Sequence, residues 1–262
     1  MNPGTKFAGL RYRHPCGRLR WREDHGLSRR VQRHDVTTAL AVAAFLFSVA
    51  FGACTLERWL LRRSPQLLAW TVALGMFAVG AAALAWGSAR GWSGSSFRLF
   101  FAFGAVLNVP FLALGQLYVQ IRRRVIDRIA VAVGLLGAFA LGVVISSPLR
   151  APVPTDELPQ GSQVFGPAPR VLAAVASGVG ASVVFIGAAI GVWQLRRRQP
   201  KRAGGLALIA LGTLTLSASG LLNSAFGAMR AFSITLTIGI AILFVGFLVT
   251  TTGTTSAPTN GT

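Results

Sequence analysis

The sequence predicts an all-α protein, a polytopic transmembrane helix bundle of seven spans. Three observations predict it. Hydrophobic residues make up 53% of the 262 and charged residues only 13%, against about 25% charge in a soluble domain. The apolar residues gather into seven runs, each inside the roughly 17–25 residues needed to cross the hydrocarbon core. The charges are lopsided, 26 Lys and Arg against 7 Asp and Glu for a formal net of +19, and most of the bases lie between the runs. A soluble enzyme, a disordered chain and a disulfide scaffold are excluded on this composition. The two cysteines, Cys16 in a basic tail and Cys54 at the end of an apolar run, form neither metal spacing nor a disulfide framework.

The runs are Val36–Leu56, Gln66–Gly87, Phe97–Val119, Ile129–Ser146, Val171–Leu195, Gly204–Asn223 and Ala231–Thr250. In lipid the backbone must satisfy its own hydrogen bonds, so each run is a helix, and no alternating pattern of a membrane barrel is present. The resulting organisation is a basic, disordered tail over 1–35, a transmembrane domain over 36–250 and a disordered Thr-rich tail over 251–262.

In the first run Phe51-Gly52-Ala53-Cys54 resembles a lipobox. Phe51 replaces the usual leucine and six further spans follow, so Cys54 reads as a small residue closing the helix. The third run carries Asn108 and Gln116 around Pro110. Pro110 removes one helical hydrogen bond and crowds the carbonyl four residues earlier, which predicts a kink. Asn108 and Gly115 share a face, with Gln116 about a quarter turn away. Such a kink with a nearby amide serves either packing or a ligand or gating site.

After the fourth run, Ser147–Arg170 is the longest connection and holds six prolines. It is expected to be an extended external loop without regular structure. The fifth run has Gly187 and Gly191 at the small-xxx-small spacing that lets helices approach closely, for an internal packing face or a dimer face. The sixth run places Thr215, Ser219 and Asn223 four residues apart, and the seventh adds Ser233 and Thr237. These side chains are read first as interhelical hydrogen-bonding glue. The sharper reading joins Asn108, Ser219, Asn223 and Ser233 in a polar cavity open toward the external side.

The connections set the orientation. ERWLLRRSP (57–65), QIRRRVIDR (120–128) and RRRQPKR (196–202) carry twelve Lys and Arg, while the alternate connections and the edge of the third run carry five: Arg90, Arg98, Arg150, Arg170 and Arg230. Basic loops stay cytoplasmic, which puts the carboxyl terminus inside. The amino-terminal tail opposes this, since it holds nine Lys and Arg. Either the tail wins and the first helix is reversed, or the native chain starts downstream at Val31 or Val36. A genuine tail of this kind would bind anionic lipid headgroups.

No His lies in any run, and no Asp, Glu, Lys or Arg lies at mid-span. No cofactor and no metal are therefore expected, and proton-coupled transport has no evident relay. The Arg clusters lie at helix ends, which reads as topology anchoring and not as a nucleic-acid interface. The predicted partners are the lipid bilayer and anionic headgroups at the Arg-rich loops.

The stretches FRLFFAFGAVLNVPFLALGQLYV (97–119) and LAWTVALGMFAVGAAALAWG (68–87) are similar to uncharacterised multi-pass membrane proteins of actinobacteria. That resemblance spans about residues 36–249 and implies a start close to the first helix. It carries no activity or catalytic motif. The functional expectation is a non-enzymatic module of the bacterial cytoplasmic membrane, sensor-like or accessory, binding a small or lipidic ligand. The alternative is a permease for a neutral solute, with Pro110 as its hinge.

Overall fold

The computed structural model describes residues 16–154, 159–226 and 229–252, and within these the side chains of 36–154, 159–201, 203–216 and 234–250. Among the described residues every regular element is a helix. Five helical stretches are long and apolar enough to cross a membrane. They are residues 36–62 of α1 (Cys16–Arg62), α2 (Pro65–Arg90), the composite helix 94–120, α5 (Arg123–Ser146) and α7 (Pro167–Leu195). α8 (Pro200–Phe226) and α9 (Met229–Thr252) are 27 and 24 residues long, with shorter described apolar stretches at Ala203–Leu216 and Ile234–Thr250.

α1 reaches back to Cys16, twenty residues before the first apolar run, and no proline interrupts the sequence between Cys16 and Arg62. It turns into α2 through Arg63, whose positive φ of 51° closes the corner with an N–H bond to the Trp59 carbonyl at 2.7 Å. Pro65 opens α2, where its missing N–H costs nothing. Gly91, at φ 88°, ends α2. Ser93 then caps the next helix in a capping box with Ser96.

The composite third helix has three parts: α3 (Gly94–Phe100), a π-helical segment (Phe101–Leu107) and α4 (Asn108–Gln120). The distortion expected from Pro110 is thus placed upstream of the proline, as a widened turn.

The helices form a ring. α1 packs on α2, α2 on α4, α4 on α7, α7 on α8, α8 on α9, and α9 returns to α1. α5 lies outside it, against α4, the π-helical segment and α7. Between α8 and α9 the approach is set by glycines seven residues apart on each helix. A Cβ on Gly246 would lie 2.8 Å from the Gly205 carbonyl oxygen, and one on Gly212 would lie 3.0 Å from that of Gly239. The ring closes with a bond from the Thr237 hydroxyl to the Leu40 carbonyl at 3.0 Å.

The connection 147–166 differs from the expected extended loop. It contains a one-turn helix, α6 (Gly161–Val164), and buries Val164 and Phe165. Phe165, 1% exposed, stacks on Phe97 with centroids 5.3 Å apart and meets Phe101 at 4.9 Å. Trp92 packs edge-on to Phe97. The Arg150 N–H bonds the Val164 carbonyl at 2.9 Å, and Arg98 donates to the Ser147 carbonyl just past α5 at 2.7 Å. The prolines do forbid a long helix, but burying two apolar side chains under the helix ends holds the segment down as a cap.

Candidate functional site

Among the described residues the buried polar side chains are hydroxyls on α1, α2 and α8 and two carboxamides, Asn108 and Gln116, on the composite third helix. Pro110 has no N–H, so it leaves the Val106 carbonyl without a donor in an α-helical register and the Ala105 carbonyl without one in a π-helical register. The Ser177 hydroxyl of α7 donates to the Ala105 carbonyl. A side chain on the neighbouring helix thus bonds a carbonyl of the turn before the proline, the kind of contact by which lipid-embedded helices tolerate proline. Nearby, a Cβ on Gly180 would lie 2.8 Å from Val109 Cγ1, so α7 meets this turn closely.

Asn108 begins α4 and is 3% exposed. Among the described residues its side-chain oxygen has no hydrogen-bond donor. It shares a helix face with Gly104 and Gly115, both turned to α2. Gly104 lies against Gly80, where a Cβ would come within 2.9 Å of the Gly104 Cα. Gly115 lies under the Trp70 indole, whose Nε1 donates to the Leu112 carbonyl at 3.2 Å. Asn108 therefore lies along the chain between two close approaches to α2.

Gln116, 6% exposed, faces α7 instead. Its Cγ and Nε2 occupy the space left by Gly187, and the next amide along, Gln120, donates from Nε2 to the Gly187 carbonyl at 2.8 Å. Gly191, one turn on, faces Leu206 of α8. Gln120 was not among the sequence-predicted residues. Its signal was available as the second member of an i, i+4 amide pair, but it lay in what read as a polar loop. Asn108 and Gln116 are about 12 Å apart along the helix axis and look at different neighbours, so the two do not line one pocket.

The sixth-run glue is corrected in part. The Thr215 hydroxyl donates within its own helix, to the Leu211 carbonyl at 2.9 Å, as helical threonines readily do. Thr237 is interhelical through Leu40. The side chains of Ser219, Asn223 and Ser233 lie outside the described residues, and with them the predicted cavity. Among the described residues no group of three His, Cys, Asp or Glu side chains is arranged for a metal ion. The Tyr118 hydroxyl and Asp127 bond at 2.9 Å across the α4–α5 turn, with Arg123 3.9 Å from the same carboxylate.

Chemically, this set offers one buried, unsatisfied hydrogen-bond acceptor at a widened helical turn, flanked by backbone packed on glycines. It can accept a bond from a neutral donor. Comparison with known proteins finds no matching family model, no matching curated protein and no matching solved structure.

Proposed function

We propose that this chain is a non-enzymatic, seven-span module of a bacterial cytoplasmic membrane, sensor-like or accessory, whose bundle responds to a small or lipidic ligand. The observation that carries this reading is Asn108: a carboxamide oxygen buried and unpartnered where the π-helical segment meets α4. Buried polar atoms are normally satisfied, and an exception calls for an occupant or a second conformation. Widened helical turns of this kind concentrate at functional sites. The twelve bases of the α1–α2, α4–α5 and α7–α8 connections lie at one end of the bundle, because successive helices alternate in direction. That end is read as cytoplasmic, facing anionic headgroups or an acidic partner protein.

The permease reading keeps one supporting observation, the π-helical segment beside Pro110, which has two registers to move between. Thiol accessibility separates the two. In an Asn108→Cys protein with Cys16 and Cys54 replaced by Ser, a membrane-impermeant thiol reagent is expected to leave the membrane-embedded chain unmodified from both sides. Modification from both sides overturns the module in favour of alternating access. Reporter fusions to the carboxyl terminus of chains starting at Met1 and at Val36 test the orientation, with a cytoplasmic signal expected for the shorter chain.

A further inference from the structure

We infer that a single anionic phospholipid binds in a lateral groove between α1, α2 and α3, at the bundle end opposite the Arg-rich loops, with its phosphate on Arg90. The groove has a volume of about 390 Å³ and lies open on the outer face of the bundle. Phe45, Val79, Ala82, Trp86 and Leu99 give it apolar walls, and Ser96 is the polar residue among its lining. The groove lies where the alanines Ala78, Ala82 and Ala83 of α2 meet the larger side chains Phe45 of α1 and Leu99 of α3.

The polar end of the groove is marked independently. The Arg90 guanidinium lies over the Trp86 ring, 4.7 Å from its centroid, so a residue that lines the groove also carries a cation, itself outside the lining. Arg90 ends α2, and Ser96 lies in the first turn of α3, tied to Ser93. These residues are therefore at the helix ends, where the headgroup layer lies and where Trp and Arg are favoured. Among the described residues the one carboxylate ion pair is Arg123–Asp127, so Arg90 has no acidic partner there. An apolar groove whose Trp86 wall carries a stacked arginine without a carboxylate partner among the described residues matches a phosphate joined to a hydrocarbon chain. A guanidinium holds phosphate more specifically than a simple point charge does.

This inference rests on the membrane reading but not on the choice between sensor and permease. The test is native mass spectrometry of the detergent-purified full chain, titrated with dioleoyl phosphatidylglycerol. The wild type is expected to retain one lipid adduct. Ala82→Phe, which fills the groove at an exposed position, is expected to abolish it, and Arg90→Gln to weaken it about tenfold, the scale of one charge-assisted contact. Leu136→Phe, on the exposed face of α5, is expected to leave it unchanged. Equal retention by the wild type and Ala82→Phe overturns the inference, as does an adduct that Arg90→Gln leaves intact, which marks a detergent-like chain site. A wild-type dimer that Ala82→Phe converts to monomer also overturns it, because a second copy then fills the groove. Recovery of the wild type from the soluble fraction would end the membrane reading as well.

Discussion

α2 and α5 are close in length, 26 and 24 residues, and the most apolar stretch of α5 has the higher mean hydropathy, 2.5 against 2.0, yet 56% of that stretch of α2 is buried and only 11% of that of α5. What separates them is side-chain size at the contacts. α2 presents Gly80 to Gly104, Gly87 to the Trp92 indole, and a series of buried alanines. α5 turns Val131, Leu135, Leu136 and Phe139 outward, each more than half exposed. Lipid tails are as apolar as leucine, so large aliphatic side chains gain nothing by leaving them, and close packing of small residues decides which helix becomes central. Hydropathy finds the spans. It does not rank them from inside to outside.

The largest test of this contrast is Gly80→Leu. The new side chain would strike the Gly104 backbone, and overpacking against backbone is expected to cost more than about 3 kcal/mol, beyond the usual range. Its matched change on the other helix, Leu135→Ala, is expected to stay within about 0.5 kcal/mol, as for a surface substitution. Thermal melts in detergent micelles read both, and similar losses for the pair would break the comparison.

Next is Phe165→Ala. Losing the ring that covers Phe97 and Phe101 is expected to cost about 3 kcal/mol and to make 147–166 the first site of limited proteolysis. An unchanged cleavage pattern would mean that the cap is not held by this ring. The smallest effect sharpens the central helix itself. Ser177→Ala is expected to cost about 0.6–2 kcal/mol. In a Pro110→Ala background the same change is expected to cost nearly nothing, since the backbone can then supply the donor. Additive losses would mean that Ser177 does not compensate for the proline.

These contacts also explain what was legible in the sequence. The apolar runs and a distortion near Pro110 follow from length and from a missing N–H, both local properties. The relation of Asn108 to Gly115, and the quarter-turn offset of Gln116, follow from helical periodicity. Which neighbour each would face does not, because it depends on the ring order and on α5 being left out of it. The cap was misread because prolines exclude long helices but do not exclude burial of Val164 and Phe165. The seven-residue glycine spacing in both α8 and α9 was visible, but it gains meaning only when the two helices run antiparallel with matching levels. Three of the predicted site residues, Ser219, Asn223 and Ser233, have side chains outside the described residues.

The bond between Thr237 and Leu40 joins α9 to α1, the last described helix to the first. At a ribosomal pace of about 5–20 residues per second, the roughly 200 residues between them take about 10–40 s to emerge. During that interval α1 sits in the bilayer with one flank unshielded, and the nascent assembly is an open arc. Quality-control proteases of the membrane would meet it in that form, and truncation of α9 would leave every earlier helix inserted but the barrel-like circuit permanently broken.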